Sequence, residues 1–138
     1  MAAASLLLFC TFVLSACDEL LDLAVDCLDG DKPELRPAIL ASPVLNQLFD
    51  ETILASIRNE PFDDSFTYEF TLTGELPEGI ETDIEGRNFR LLGTPIELGE
   101  YRFSVRVDVL GNNNPFNNTN GLCQTTDTNN YIWNIRIT

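Results

Sequence analysis

The sequence predicts an all-β domain, because apolar and polar residues alternate along several short stretches that turn residues separate. The clearest stretch covers residues 101–109, where every odd position is apolar and every even position is polar. A strand with one buried face requires this period of two, which no helix tolerates. With weaker stretches of the same kind, the count reaches about seven short strands, the number expected of an antiparallel immunoglobulin-like sandwich.

The other predicted strands are shorter or less regular than this one. In residues 66–72, aromatic and aliphatic side chains alternate with threonine and glutamate, and the last apolar face combines Tyr131, Trp133, Ile135 and Ile137. The six further strands are predicted at residues 39–40, 53–57, 66–72, 80–83, 89–92 and 131–137.

Turn residues fall between these strands. Residues 76–79 read LPEG, with proline second and glycine fourth as a type I turn prefers. Glu85-Gly86 separates two strands as a tight hairpin does. Pro95 ends the strand before it, because proline removes a hydrogen-bond donor and forces the preceding residue to be extended.

Composition limits the functions that the chain can perform. Its 138 residues suit one domain, and 22 acids against 8 basic residues give a formal charge of -14. A field of that sign repels phosphate backbones, so no nucleic-acid partner is expected. The chain has no histidine, the commonest general base and metal ligand. We therefore expect that it is not an enzyme.

The N-terminus reads as a targeting segment. Residues 1–16 are uncharged and apolar, too short for a spanning helix of about 20 residues but suited to the core of a signal peptide. Leu14-Ser15-Ala16-Cys17 resembles the lipobox of bacterial lipoproteins, in which the cysteine is lipidated and becomes the new N-terminus. The alternative is a buried N-terminal helix, although the run lacks the periodicity of an amphipathic helix.

The lipobox resemblance implies an anchor and a location. Lipid on Cys17 would hold the protein to a membrane of the bacterial cell envelope, because each buried methylene contributes about 0.8 kcal/mol. Asp18 and Glu19 follow the cysteine, and an acidic residue at this place resembles a signal that sorts some bacterial lipoproteins to one membrane or to the cell surface. We expect the outer membrane or the cell surface rather than the inner membrane. Residues 17–37 are then the lipidated N-terminus and tether, and residues 38–138 the sandwich domain.

The four cysteines of the chain suggest a single disulfide in the mature protein. Cys10 lies in the signal peptide and Cys17 carries lipid, which leaves Cys27 and Cys123 in the mature chain. Two thiols in an exported protein suggest one disulfide between them. Unpaired thiols or an intermolecular bridge are the alternatives, and two cysteines without histidine do not make a zinc site.

Residues 68–109 carry a family resemblance. They are similar to the Ig-like domains of bacterial surface proteins, which are related to cadherin-like domains of the dystroglycan type. The resemblance covers about a third of the chain, implies the Ig-like fold, and says little about function, because the family is a scaffold. The residues that match in order are Leu76-Pro77, Gly79-Ile80, Gly86, Gly93-Thr94-Pro95, Gly99-Glu100-Tyr101 and Val107-Asp108.

The long, polar, amide-rich segment at residues 111–130, between the last two predicted strands, is the candidate binding loop. Long loops inside compact domains are often binding loops, and amides beside an aromatic ring suit the hydroxyls and the apolar face of a sugar. The alternative is a surface insertion pinned by Cys123. The candidate ligand-binding residues are Asn112, Asn113, Asn114, Phe116, Asn117 and Asn118.

Acidic groups raise the possibility of calcium, since carboxylate oxygens are its preferred ligands. None of the groups has the spacing of a known calcium loop, and solvated surface charge is the alternative. The groups are Asp26, Asp29 and Asp31, then Asp63 and Asp64, and then Asp83 with Glu85. No other cofactor is expected.

Taken together, these observations predict a lipid-anchored module with a non-catalytic surface that binds a glycan or a protein at the cell envelope. The alternative is a structural subunit of an envelope protein assembly, with no ligand of its own.

Overall fold

The computed structural model describes residues 30–111 and 122–137. Within these ranges no helix is long and apolar enough to cross a lipid bilayer. A 3₁₀ helix at Asp63–Ser65 precedes the third strand. The strands are β1 (Pro33–Arg36), β2 (Phe49–Ile57), β3 (Thr67–Gly74), β4 (Ile80–Glu85), β5 (Asn88–Gly93), β6 (Gly99–Leu110) and β7 (Thr126–Ile135).

The strands pair into two antiparallel sheets. One sheet has the order β1-β2-β5-β4 and the other the order β3-β6-β7. If the strands are lettered A to G in chain order, these are the ABED and CFG sheets of a constant-type immunoglobulin domain. The predicted fold class, an all-β immunoglobulin-like sandwich, is confirmed.

The core lies between the two sheets and is rich in aromatic side chains. Trp133 of β7 is fully buried, with its ring edge-to-face against Phe49 of β2 at 5.1 Å and against Phe103 of β6 at 4.7 Å. Burying a large apolar side chain contributes about 1.5–3 kcal/mol. Since Phe49 belongs to one sheet and Trp133 to the other, these contacts join the two layers.

The alternation predicted for β6 is present in the structure. Four of its odd positions, Phe103, Val105, Val107 and Val109, are buried, and Tyr101 at its start is half-buried. The strand pairs with β3 on one side and β7 on the other. It is therefore the central strand of its sheet, which explains why its pattern is the clearest in the sequence.

The first strand is not where the sequence predicted it. Residues 39–40 belong to no strand, and Ile39 is 85% exposed. Instead β1 lies at Pro33–Arg36 and pairs with β2, so the sheet begins before residue 38 and inside the segment expected to be tether. Proline is tolerated at the first position of an edge strand, and four residues are too few to show a period of two.

Side chains of β7 bind β1 across the gap between the sheets. The backbone N–H of Leu35 donates to Oδ2 of Asp127 at 2.8 Å, and Nδ2 of Asn129 donates to the carbonyl of Leu35 at 2.9 Å. The hydroxyl of Tyr131 donates to the carbonyl of Pro37 at 2.9 Å. Backbone polar groups removed from water need partners, and these side chains supply them where no neighbouring strand is present.

The last strand is shifted relative to its prediction. It begins at Thr126 and ends at Ile135, so Ile137 lies beyond it and is 73% exposed. Its partner β6 begins at Gly99, opposite Ile135, and offers no backbone for Ile137 to pair with. The earlier part of β7 is polar, which hid it from an analysis of apolar alternation.

The turn after β3 is also shifted. The N–H of Ile80 donates to the carbonyl of Pro77 at 3.1 Å, so the turn runs from Pro77 to Ile80 and not over residues 76–79. Gly79 is then the third residue, with φ of +91°. A type II turn requires positive φ at this position, so the predicted type I turn is wrong.

Two of the sequence stretches that match the family, Gly79-Ile80 and Gly93-Thr94-Pro95, lie against each other in the structure. Thr94 N–H donates to the carbonyl of Gly79 at 2.9 Å, and Ile96 N–H donates to the carbonyl of Glu78 at 3.1 Å. A Cβ atom on Gly93 would lie 2.0 Å from the carbonyl oxygen of Gly79. The spacing of the motif thus reflects a place where two backbones touch.

Candidate functional site

The binding loop predicted from the sequence lies outside the described residues. This holds for Asn112, Asn113, Asn114, Phe116, Asn117 and Asn118, and also for Cys17 and Cys27. The base of the loop is described: Val109 N–H donates to the carbonyl of Thr125 at 2.8 Å, which keeps β6 and the start of β7 together. Cys123 is disulfide-bonded, and its pairing with Cys27 stays a prediction.

Several connections meet at one end of the sandwich, which we call the entry end because the domain begins there at Asp31. It comprises residues 31–32, the connection 58–66, the hairpin 86–87 and the two flanks of the binding loop. Cys123 N–H donates to the carbonyl of Asp31 at 3.0 Å, and Arg58 N–H to the carbonyl of Lys32 at 2.9 Å. The start of the domain and the base of the loop therefore lie side by side.

An open concavity of about 620 Å³ lies at the entry end, between the start of β3 and the β4–β5 hairpin. The hairpin is the tight one predicted, since Glu85 pairs directly with Asn88. Aromatic and aliphatic groups beside charged and amide groups suit an amphipathic ligand. The lining residues are Asp64, Phe66, Thr67, Tyr68, Ile84, Glu85, Gly86, Arg87 and Asn88.

Arg87 builds one wall of the concavity. Its Nη1 lies 2.5 Å from Oδ2 of Asp63, and its Nε lies 2.8 Å from Oδ1 of Asp64. Such pairs near the surface contribute little stability, about 0–1 kcal/mol each. Their effect is to hold the hairpin against the 3₁₀ helix, and so to shape the concavity.

Tyr68 connects the floor of the concavity to the same helix. Its hydroxyl donates to the carbonyl of Asp63 at 2.8 Å. Burial, and then the charge of Asp63, raise the pKa of Tyr68 well above its usual value. The ring therefore stays neutral at physiological pH and acts as a hydrogen-bond donor.

We expect stability to fall as the pH rises above about 10, the ordinary tyrosine pKa. Burial raises the pKa of Tyr68 and of Tyr131 in the folded protein. A raised folded pKa gives stability that is complete below the unfolded pKa and is lost as pH rises toward the folded pKa. Urea unfolding across this range should show the fall, and the double variant Tyr68→Phe with Tyr131→Phe should show a shallower one. An equally steep fall in the double variant would contradict this assignment.

The acidic groups considered for calcium lie in three different settings. Asp63 and Asp64 are both ion-paired with Arg87. Asp26 and Asp29 are outside the described residues. Asp31 lies at the entry end, where its backbone carbonyl accepts from the N–H of Cys123. Across residues 30–111 and 122–137, no group of three or more His, Cys, Asp or Glu side chains is placed to hold a metal.

Asp83 and Glu85 lie on the outer face of the four-stranded sheet. They line a second shallow depression of about 530 Å³ with Asp50, Thr52, Asn88 and Arg90. Arg90 donates to both carboxylate oxygens of Asp50, and this hydrogen bonding holds the pKa of Asp50 below its usual range. The depression is therefore a charged surface with its own internal ion pair.

Arg87 is the residue of the concavity that sequence reasoning missed. It follows Gly86 at the tip of a hairpin, where arginine is an ordinary solvent-exposed residue. Its partner Asp63 is 24 residues away in sequence. Only the tertiary fold brings the two side chains together, so no local pattern could have found the pair.

Fold and site together define an immunoglobulin-like β-sandwich of constant-type topology with an open concavity at its entry end. No family model and no curated protein matches the chain. The solved structures that resemble it include an endo-fucoidan hydrolase of glycoside hydrolase family 107, with a TM-score of 0.48 and 17% identity over 78% of this chain. This chain covers 14% of that enzyme.

Two further structures are similar at a lower level. Titin domain M7 has a TM-score of 0.41 and 10% identity, with 78% of this chain and 96% of that domain covered. Domains 4 and 5 of the S-layer protein SbsC give 0.40 and 10%, with 77% of this chain and 54% of that chain covered. Likenesses at this level concern the fold alone.

Proposed function

We propose that the chain is a lipid-anchored, non-catalytic binding module of the bacterial cell envelope, which recognises a glycan or a protein at its entry end. The observation that carries the proposal is the meeting of three features there. These are the open concavity, both flanks of the amide-rich connection and the start of the domain at Asp31. A site assembled from several connections on a rigid sandwich is the usual arrangement of immunoglobulin-like binding domains.

The chemistry of the entry end supports a glycan as ligand. Phe66, which is partly exposed, provides aromatic surface, the buried Tyr68 borders it, and Asn88 and Arg87 provide hydrogen-bond donors beside it. Sugars present both an apolar ring face and hydroxyl groups, so a site of this composition can satisfy both. Phe116 and the neighbouring asparagines would add groups of the same kind.

Binding is favoured over catalysis by the state of the carboxylates. Glycoside hydrolysis needs two carboxyl groups facing one another across the scissile bond. Here Asp63 and Asp64 are both ion-paired with Arg87, and Glu85 lies on the open rim of the concavity. The chain also has no histidine to act as a general base.

We expect residues 18–138 to bind saturably to at least one member of a broad glycan panel. The variant that combines Phe116→Ala with deletion of residues 112–114 should lose this binding while its melting temperature stays nearly unchanged. Leu48→Ala, an 80% exposed residue at the opposite end, is the matched control and should bind like the parent. Glycan array screening followed by titration calorimetry would measure both effects.

Two outcomes would count against the proposal. Binding that survives in the loop variant would place the site elsewhere on the domain. Silence of every variant, together with a fixed partner that copurifies after mild detergent extraction, would favour the structural-subunit alternative.

A further inference from the structure

The end of the sandwich opposite the entry end, which we call the far end, gathers a set of exposed apolar side chains. It comprises the connections 43–48, 75–79 and 94–98 and residues 136–137. Asn46 N–H donates to the carbonyl of Pro95 at 2.9 Å, and Gly99 pairs with Ile135, which brings these segments together. The exposed side chains are Leu48 (80%), Ile137 (73%), Ile96 (55%) and Leu98 (50%).

These four residues are among the ten large hydrophobic side chains exposed in the described part of the chain. Single exposed hydrophobic residues scattered over a surface are normal. Concentration at one end, rimmed by polar groups, is the arrangement seen at surfaces that contact another molecule.

Three acidic residues lie on the connections beside this apolar surface, and one of them, Glu97, contacts the half-buried Tyr101 directly. Oε2 of Glu97 lies 3.5 Å from the Tyr101 hydroxyl, and Glu75 N–H donates to the carbonyl of Arg102 at 3.4 Å, next to Tyr101 in sequence. The carbonyl of Glu78 accepts from the N–H of Ile96. The connection that carries Glu75 and Glu78 thus adjoins both Tyr101 and the apolar residues.

The electrostatics of Tyr101 agree with this placement. Partial burial, and then the charges of Glu97, Glu78 and Glu75, raise the pKa of Tyr101. The three carboxylates therefore act on one aromatic ring. A cation placed there would meet negative charge from these carboxylates, and over the ring face it would also meet the π electrons of the tyrosine.

The far-end carboxylates form no ion pair within the described residues. This distinguishes them from the carboxylates elsewhere that pair with arginine. None of Glu75, Glu78 and Glu97 forms an ion pair there. Six of the seven described arginines pair with other acids, and the seventh, Arg136, lies at the far end itself, where three carboxylates outnumber it. The six are Arg36, Arg58, Arg87, Arg90, Arg102 and Arg106.

We propose that the far end is an interaction surface for a basic segment of a partner protein, in which lysine or arginine alternates with aliphatic residues. The cationic heads would contact the carboxylates of Glu75, Glu78 and Glu97 and the ring of Tyr101. The aliphatic parts would cover Ile96 and Leu98, as the stems of lysine and arginine commonly do.

Charge decides against the other occupants of such a surface. A second copy of this chain carries the same formal charge of -14, and two far ends face to face would bring six carboxylates together. Phosphate-bearing lipid headgroups or nucleic acids would be repelled for the same reason. The surface is separate from the candidate site at the entry end, so either proposal can fail alone.

The test uses the full chain and two N-acetylated peptides of equal charge. In one, three Lys-Leu pairs are separated by glycine, and in the other serine replaces each leucine. Fluorescence anisotropy near physiological ionic strength limits attraction by net charge alone. We expect the leucine peptide to bind saturably, and the serine peptide to bind at least about fivefold more weakly because it leaves the apolar surface uncovered.

Two charge-matched triple variants locate the binding. Glu75→Gln, Glu78→Gln and Glu97→Gln remove the far-end carboxylates, whereas Glu69→Gln, Asp83→Asn and Glu85→Gln remove three exposed carboxylates away from that end. Because three exposed charge contacts are lost together, the first triple should weaken the leucine peptide about tenfold. The second should change its affinity less than about twofold. Equal weakening by both triples, or no saturable binding to the parent chain, would overturn the proposal.

Discussion

Gly93→Ala is expected to destabilise the domain by about 3–5 kcal/mol, a large share of the 5–15 kcal/mol of an ordinary domain. The new Cβ atom would lie 2.0 Å from the carbonyl oxygen of Gly79 and 3.1 Å from Cα of Ile80. Both obstacles are backbone atoms, so no side chain can rotate away. The φ of Gly93, +138°, adds strain because residues with a Cβ rarely adopt it.

Gly86→Ala is the control for this prediction. Gly86 also has positive φ, +58°, but a Cβ atom there would meet nothing within 4 Å. Its replacement should cost only about 1 kcal/mol, the penalty of a left-handed backbone. Urea unfolding followed by circular dichroism would measure both free energies, and equal losses would show that the close contact with Gly79 is unimportant.

Trp133→Ala is expected to cost about 3–5 kcal/mol, the range for removing a large aromatic side chain from a core. The indole is fully buried and touches Phe49 of the opposite sheet as well as Phe103 of its own. Its loss would open a cavity between the two layers. Chemical denaturation followed by far-ultraviolet circular dichroism, which needs no tryptophan signal, would give the value.

Trp133→Phe separates the packing of this residue from its polar group. Nε1 of Trp133 is buried and has no hydrogen-bond partner in the described structure, so phenylalanine gives up no hydrogen bond. It loses only part of the ring, and a cost of about 1 kcal/mol is expected. If phenylalanine were as destabilising as alanine, the indole N–H would have a role that packing does not explain.

The sequence predicted the central strands better than the edges, for a physical reason. β6 is buried on one face from Phe103 to Val109, so its side chains must alternate there, and the pattern is visible without any partner. β1 has four residues and depends on Asp127 and Asn129, more than 90 residues away, for part of its hydrogen bonding. No local pattern records such a dependence.

The turn after β3 was predicted at nearly the right place but with the wrong register and type. The order of proline and glycine in residues 76–79 correctly predicted a turn between two strands. Its register and type follow from the close approach of Gly79 to Thr94, which only the folded chain contains. The glycine was recognised, and the reason for it was tertiary.

The two candidate surfaces were predictable to different degrees. Composition identified an amide-rich connection as a possible binding loop, but the concavity beside its base depends on Arg87 meeting Asp63 across the fold. The far end could not be foreseen because its carboxylates come from two connections and gather around Tyr101 only when β3 and β6 pair. The sequence shows that the acidic residues are present, but it does not show that they lie near one another at the far end.

The position of Asp31 at the entry end limits how far each surface would reach from a membrane. If lipid is attached to Cys17 as proposed, roughly fourteen residues separate the membrane from Asp31, and fully extended they span at most about 50 Å. A ligand at the entry end would then be bound within about 50 Å of the bilayer. β6, with 12 residues at about 3.4 Å each, measures about 40 Å, so the far end would reach at most about 40 Å farther out.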